Sequence, residues 1–169
     1  LVITNVYKAN GYLSEIKNGG TVLYKTTAAN GRGQVTAYSK GTKASTINYV
    51  NGFPNAYVTA EGIQDYRLIW NYGKGTLTSR QDARSSVNKT ESFIYDGLDR
   101  LKTSTISGGT GTFATNYAAN GNISDKTDAG VYAYHPTQIN AVTGVTNPSS
   151  GGAQPSPIPA MQQDITYTP

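Results

Sequence analysis

The stretch YDGLDRL at residues 95–101, followed by KTSTI at residues 102–106, has the pattern of a tight turn that leads into a β-strand. Gly, and after it Asn and Asp, tolerate the positive φ of hairpin turns, whereas Thr, Ile and Tyr favour strands. Residues 117–128, YAANGNISDKTD, repeat the order of an aromatic residue, a turn with glycine, an apolar residue and a polar strand. The repeated unit is therefore a strand, the pattern Tyr-x-x-x-Gly-x-apolar, and a second strand.

Turn signals of this kind recur between short stretches in which apolar and polar residues alternate. Within residues 65–72, the alternation puts Tyr66, Leu68, Trp70 and Tyr72 on one face of a strand. Six Asn-Gly or Asp-Gly pairs occur, at residues 10–11, 18–19, 30–31, 51–52, 96–97 and 120–121. Helical apolar periodicity is nearly absent, so the sequence predicts a series of antiparallel hairpins.

The turns are also regularly spaced. The glycines that open an outgoing strand, at intervals of 20, 21, 23 and 46 residues, are Gly11, Gly31, Gly52, Gly75 and Gly121. Because 46 is twice 23, a further turn is expected near residue 98. A period of 20–23 residues is typical of one supersecondary unit per repeat, and such units are stable only when stacked on neighbours.

Residues 95–106 and 117–128 closely resemble the Rhs and YD repeats of bacterial surface and toxin proteins and of animal teneurins. That family is named after a Tyr-Asp pair, present here as Tyr95-Asp96. Residues 70–80 resemble a variant of the unit, and residues 132–142 resemble a segment found late in Rhs regions. The resemblance covers most of residues 1–147 and is most specific in the second half. We expect the chain to be a fragment of such a repeat region.

The resemblance implies an all-β fold, an antiparallel sheet of successive β-hairpin repeats that curves or spirals as part of a YD-repeat shell. In such proteins the shell encloses a C-terminal toxin or displays a surface. The chain is then expected to be a non-catalytic structural or interaction segment of a secreted or cell-surface bacterial protein. Its partners would be the remainder of its own polypeptide. The Asp-Pro pair at which related shells cleave themselves does not occur in this sequence, so self-cleavage is not carried over.

The resemblance and the spacing together assign a set of residues to the repeat turns. They are Tyr7, Gly11, Gly31, Gly52, Gly75, Tyr95, Asp96, Gly97, Arg100, Tyr117 and Gly121. A tyrosine at such a place offers a large apolar contact and keeps a hydroxyl for water or a neighbouring group.

Two other functions remain open. A carbohydrate-binding adhesive module on the cell surface would use Trp70 and Tyr72 to stack on sugar rings, although packing within the sheet explains the same residues. A glycoside-processing enzyme needs two carboxylates about 5–10 Å apart, whereas the Asp residues here have the positions of turn caps. His135 could act as a base beside Asp125 or Asp128, but a His at a strand end accounts for it. We predict no catalytic residue.

The composition excludes several kinds of site and partner. The chain of 169 residues has no Cys and one His, which removes disulfides, thiolate chemistry and metal sites that need several imidazoles. We predict no cofactor and no metal. The longest apolar stretch is far below the roughly 20 residues of a membrane helix, so membrane insertion is not expected. A net charge of +4 does not indicate nucleic acid as a partner.

The whole chain, residues 1–169, is interpreted as one repeat array. Residues 147–160 hold four of the seven prolines and predict a loop rich in Pro, Gly and Ser. Residues 161–169 predict the start of a further strand. The strand edges of an isolated fragment are open, which favours self-association.

Overall fold

The computed structural model describes residues 2–60, 62–109, 111–146 and 163–164, and these residues form strands and turns but no helix. The strands are β1 (Ile3–Tyr7), β2 (Leu13–Asn18), β3 (Thr21–Ala29), β4 (Val35–Lys40), β5 (Lys43–Val50), β6 (Phe53–Thr59), β7 (Gln64–Asn71), β8 (Thr76–Asp82), β9 (Lys89–Tyr95), β10 (Leu101–Ile106), β11 (Thr112–Tyr117), β12 (Ile123–Lys126), β13 (Gly130–Tyr134), β14 (Val142–Thr146) and β15 (Gln163–Asp164). The predicted all-β fold of successive hairpins is confirmed.

The chain divides into two compact units, Leu1–Thr90 and Glu91–Pro169. In the first unit, each strand from β1 to β7 pairs antiparallel with the strand that follows it, which ends the series at β8. In the second unit, the same holds from β9, most of which lies there, to β15. Each unit is therefore a sheet in which consecutive hairpins lie side by side in chain order.

Neither unit contains a thick hydrophobic core. The buried apolar residues of the described part are Ala56, Ala129 and Val145, and no large side chain there is fully buried. Buried hydroxyls take the place of apolar groups at several positions, and two of them pair with each other. Ser45 and Thr59 face each other across β5 and β6 with their side-chain oxygens 2.9 Å apart. Stability therefore depends on the backbone ladders and on half-buried side chains.

One irregularity recurs in all seven described hairpins, from β1–β2 to β13–β14. Near the turn, one residue of the second strand is skipped in the pairing, which is the pattern of a β-bulge. The skipped residues are Ser14, Thr36, Asn55, Thr78, Lys102, Ser124 and Thr143. Six of the seven are small and polar, so the repeat has a position that the glycine spacing does not reveal.

On the turn side of each bulge, the first residue pair joins a mostly aromatic residue to an apolar one. The pairs are Tyr7–Leu13, Ala29–Val35, Tyr49–Pro54, Trp70–Leu77, Tyr95–Leu101, Tyr117–Ile123 and Tyr134–Val142. Aromatic and β-branched or aliphatic pairs stabilise antiparallel strands by about 0.2–1 kcal/mol. The aromatic and apolar ends of the sequence pattern are thus the two sides of one hairpin neck.

The C-terminal region is described only in part. Gln163 and Asp164 form β15, which pairs with β14. The predicted loop of residues 147–160 lies outside the described residues, as does the rest of the predicted strand in residues 161–169. No helix in the described part of the chain is long and apolar enough to cross a lipid bilayer.

Candidate functional site

All the predicted turn residues lie at or beside the turns that join the two strands of a hairpin. In each unit these turns are at the same end of the sheet, which we call the turn edge. In the first unit the turn edge comprises the turns after β1, β3, β5 and β7. In the second unit it comprises the turns after β9, β11 and β13. The turn edge is the repetitive surface of this protein and its candidate functional site.

Four of these turns have the same five-residue conformation, at residues 8–12, 30–34, 96–100 and 118–122. In each, the N–H of the first residue donates to the carbonyl of the fifth, and the N–H of the fourth donates to the carbonyl of the first. The fourth residue has a positive φ, with values of 82° at Gly11, 77° at Gly33, 56° at Asp99 and 90° at Gly121. This is the geometry of a three-residue hairpin loop closed by a left-handed residue.

The structural equivalence places two glycines differently from the sequence spacing. Gly31 and Gly97 are second residues of their turns, and the equivalents of Gly11 and Gly121 are Gly33 and Asp99. The left-handed positions are thus separated by 22, 66 and 22 residues, and 66 is three times 22. The repeat period is therefore 22 residues for these turns, more regular than the intervals between the Asn-Gly pairs.

Side-chain oxygens cap the turns from two positions. The first residues Asn30 and Asp96 each accept from the N–H groups of the third and fifth residues, at 2.9–3.1 Å. The third residues Asn10 and Asn120 instead accept from the N–H of the fifth residue, at 3.3 and 3.1 Å. Asn and Asp are typical of such turns because their short side chains reach the backbone. An Asn-Gly pair can therefore occupy either the first two residues or the third and fourth residues of this type of turn.

The other two turns at the turn edge of the first unit have different backbone conformations. Asn51 and Gly52 have φ values of 52° and 85°, as a two-residue type I′ turn requires. In the turn after β7, the N–H of Gly75 donates to the carbonyl of Asn71 at 2.8 Å, and Gly75 has a φ of 71°. Gly52 and Gly75 therefore also occupy left-handed positions, as the glycine pattern requires.

The aromatic residue of the hairpin neck connects each repeat to the preceding one. The side-chain O–H or N–H of this aromatic residue donates to the backbone carbonyl of the apolar neck residue in the preceding hairpin. Four such bonds are Tyr49 to Val35 at 3.2 Å, Trp70 to Pro54 at 2.7 Å, Tyr117 to Leu101 at 2.9 Å, and Tyr134 to Ile123 at 2.8 Å. We call this contact the aromatic clamp.

The bulges and the splayed strand ends explain why these carbonyls need a side-chain donor. Between successive hairpins, the ladder ends at Ala37–Thr46, Ala56–Arg67, Thr103–Ala114 and Asp125–Val131. In all four cases the accepting carbonyl lies two residues beyond the last pair, and the aromatic donor lies three residues beyond it. A backbone carbonyl left without a partner would cost free energy, and the clamp satisfies it.

One copy of the clamp uses a different residue. Between β2 and β3, the carbonyl of Leu13 accepts from the hydroxyl of Thr26 at 3.1 Å, and the equivalent neck residue is Ala29. The neck of this hairpin has no aromatic ring, yet the carbonyl is still satisfied. The recurrent feature is thus the carbonyl that needs a donor, and the tyrosine is its usual donor.

The fifth residue of each turn reaches forward to the next turn. Gln34 donates from Nε2 to the carbonyl of Gly52 at 2.9 Å. Asn122 donates from Nδ2 to the carbonyl of Ile139 at 2.5 Å. Tyr12 lies against Gly33, where an added Cβ would be 2.5 Å from its hydroxyl oxygen. Neighbouring turns are therefore linked in both directions, backward by the clamp and forward by the fifth residue.

Arg100 makes the forward contact by stacking. Its guanidinium carbon lies 4.1 Å from the ring centroid of Tyr117, a cation–π contact. Nη2 and Nε of the same guanidinium both donate to Oδ2 of Asp96, at 2.6 and 2.7 Å, and form an ion pair with it. This ion pair, together with the backbone N–H groups that Asp96 accepts, lowers the pKa of Asp96. In the turn of residues 30–34, Asn30 donates to Gln34 at 2.9 Å and so forms the uncharged counterpart.

Trp70 and Tyr72, the candidate ligand-stacking residues, belong to an aromatic cluster on the turn edge of the first unit. Phe53 packs between them, with ring centroids 5.2 Å from Trp70 and 5.8 Å from Tyr72. Trp70 is half-buried and its indole N–H is bonded to Pro54, whereas Tyr72 is 41% exposed. The structure thus uses Trp70 in packing, and Tyr72 keeps an accessible face.

His135 and the carboxylates take structural positions. Nδ1 of His135 is contacted by the N–H groups of Thr137 and Gln138 at 3.3 and 3.1 Å, so the imidazole caps its own turn. Asp125 accepts from Asn116 at 2.7 Å, and Asp128 lies 3.4 Å from Lys126. Among the described residues, no group of three metal-ligating side chains comes together.

A depression at the turn edge lies between the first two turns of the first unit. Its volume is about 600 Å³, and its lining includes Lys8, Tyr12, Tyr24 and Arg32. A second depression of about 320 Å³ lies at the opposite end of the strands, beside Lys40 and Tyr66. Both are in the first unit, and neither was evident from the sequence because its residues come from several repeats.

Comparison with known proteins leaves the family undetermined. No protein-family model matches the sequence, and no curated protein is similar enough to count as a relative.

Proposed function

We propose that this chain is a non-catalytic structural segment of a Rhs/YD-repeat protein. It would build part of a β-shell that encloses a C-terminal toxin or displays a surface, in a secreted or cell-surface bacterial protein. The observation that carries this proposal is the aromatic clamp, four times repeated with the same offsets from the last ladder pair. A clamp makes each hairpin depend on its neighbour, as a continuous wall of repeats requires.

The repeat motif of the second unit supports the same proposal because three of its polar and aromatic side chains have roles in closing the turn or in stacking the repeats. Asp96 closes the turn, Arg100 links it to the next hairpin, and Tyr117 bonds back to the hairpin of Leu101. The arrangement therefore favours a structural wall of stacked hairpins.

Protease protection in the full-length protein tests the enclosure. We expect the region C-terminal to the array to resist a nonspecific protease, and to be cleaved at least tenfold faster when Gly33→Ala and Gly121→Ala distort two turns. A matched variant, Gly31→Ala, should leave protection unchanged, because Gly31 has ordinary φ and open space around it. Equal cleavage rates in the wild type and the double variant would refute enclosure.

A carbohydrate-binding surface is the second candidate, and the exposed face of Tyr72 is the observation that favours it. Binding of a neutral oligosaccharide that is lost in Tyr72→Ala, with an unchanged thermal midpoint, would support this function. If Tyr72→Ala leaves the affinity unchanged, the aromatic cluster is only a packing element.

A further inference from the structure

The two units differ strongly in charge, which the net charge of the whole chain conceals. Residues 1–90 carry eleven Lys and Arg side chains and four carboxylates, a net charge of +7, whereas residues 91–169 carry three and six, a net charge of −3. A marked charge asymmetry between the parts of a chain indicates that the basic part meets an acidic partner.

The described carboxylates of the basic unit are already paired. Glu15 bridges Lys17 and Lys25 at 2.8 and 3.1 Å. Asp65 pairs with Arg67 at 2.5 Å, and Asp82 pairs with Arg84 at 2.6 Å. The cations that remain available for a ligand therefore include those that line the depression of about 600 Å³ at the turn edge.

The lining of this depression includes two cations and other hydrogen-bond donors but no carboxylate. Lys8 and Arg32 are exposed and have no ion-pair partner among the described residues, and no carboxylate lines the depression. Asn10 uses its side-chain oxygen to accept from Tyr12, and its amide nitrogen has no partner in the described part of the chain. The depression thus presents two positive charges and one amide N–H donor, and no described residue pairs with any of the three.

Aromatic rings complete the depression. Tyr24 stacks on Tyr38 with a centroid separation of 5.5 Å, which fixes the ring that lines the depression. Tyr12 is held against Gly33 and is 55% exposed. Fixed rings with hydroxyl groups suit a ligand that has both flat apolar faces and hydroxyls, and the volume lies within the usual range of small-molecule sites, roughly 300–1,000 Å³.

We propose that this depression binds an acidic saccharide, with Lys8 and Arg32 taking its carboxylates and Tyr12 and Tyr24 lining its sugar rings. Arg forms bidentate bonds with carboxylates, and Lys supplies a point charge beside it. A nucleic acid is disfavoured as the occupant, because it requires a long basic track along many phosphates rather than two cations in a pocket.

Calorimetric titration of the whole chain with trigalacturonate tests the proposal, and the methyl-esterified trimer is the uncharged control. We expect the acid form to bind and the ester to bind at least tenfold more weakly. Lys8→Gln and Arg32→Gln should each weaken binding of the acid form by roughly tenfold, the effect of one charged hydrogen bond. Lys40→Gln removes the same charge at the opposite end of the strands and should have no effect.

Thermal midpoints equal to that of the wild type would show that the variants keep the fold. The proposal fails if the ester binds as tightly as the acid, or if neither form binds at millimolar concentration. It also fails if a single-stranded oligonucleotide binds equally well and Lys40→Gln weakens every ligand alike. That last result would mean nonspecific attraction of anions to the basic unit.

Discussion

The hydroxyl of Tyr117 donates a 2.9 Å hydrogen bond to the carbonyl of Leu101, which lies in the preceding hairpin. The ladder between the two hairpins ends two residues before that carbonyl, at the pair Thr103–Ala114. Tyr117 therefore continues, with a side chain, the hydrogen bonding that the backbone has stopped. The tyrosine of the Tyr-x-x-x-Gly pattern thus has a structural role, which is to satisfy a backbone carbonyl of the preceding hairpin.

Removing this one hydroxyl should weaken the second unit. We expect Tyr117→Phe to lower the free energy of unfolding by about 0.5–1.5 kcal/mol, the usual net value of one hydrogen bond. Chemical denaturation measures the change. Tyr7→Phe is the matched control, because the Tyr7 hydroxyl has no hydrogen-bond partner among the described residues and the ring is 59% exposed. An equal loss in both variants would contradict the clamp.

The register of the turns can be tested at two glycines that are two residues apart. Gly33→Ala should destabilise the first unit by more than about 1–2 kcal/mol, the cost of a left-handed residue with a Cβ. Its φ is 77°, and the new Cβ would meet the hydroxyl of Tyr12 at 2.5 Å. Gly31→Ala should be neutral or slightly stabilising. Thermal unfolding compares the two variants, and the reverse order would restore Gly31 as the left-handed position.

The hairpins and their approximate spacing could be predicted from the sequence because turn chemistry is local. Asn or Asp beside Gly identifies a turn wherever it occurs, and alternation identifies the flanking strands. The alignment of the turns could not be read in the same way. Asn30 caps its loop from the first position and Asn10 from the third, so the same dipeptide has two registers.

The sequence predicts the positions of the clamp tyrosines but not which of them has a carbonyl to bond. Tyr7 and Tyr117 have the same place in the repeated pattern, but of the two only the Tyr117 hydroxyl has a hydrogen-bond partner among the described residues. Whether a carbonyl lacks a backbone partner depends on where a ladder ends, which involves two strands and a bulge. The basic depression was missed for a related reason, because Lys8 and Arg32 are separated by a full repeat in the sequence and share one cavity only in the fold.

The bulge of the third hairpin contains a defect that a substitution should repair. The side-chain oxygen of Asn55 is buried without a hydrogen-bond partner, and the equivalent bulge residues in the second, fourth and seventh hairpins are Thr36, Thr78 and Thr143. We expect Asn55→Thr to raise the free energy of unfolding by about 1 kcal/mol, since an unsatisfied buried group costs about 1–3 kcal/mol. Thr78→Asn is the reciprocal test and should not stabilise. Chemical denaturation of both variants would contradict the assignment if Asn55→Thr were destabilising.

Acid should selectively remove the contribution of the Asp96–Arg100 ion pair. The pKa of Asp96 is lowered in the folded state by Arg100 and by the backbone N–H groups of its turn. A lowered folded pKa means that the stabilisation is fully present above the unfolded value, about 3.9, and is lost as the pH falls through the folded value.

Asp96→Asn keeps the turn cap, as Asn30 does in its own turn, but removes the charge. We therefore expect the wild type to be more stable than Asp96→Asn at pH 6, and the difference to shrink as the pH falls from about 4 to 2. Urea denaturation at a series of pH values measures this. The double variant Asp96→Asn with Arg100→Gln recreates the Asn30–Gln34 pair and should show the same reduced acid sensitivity. A difference that stays constant from pH 6 to pH 2 would mean that the ion pair does not contribute to stability.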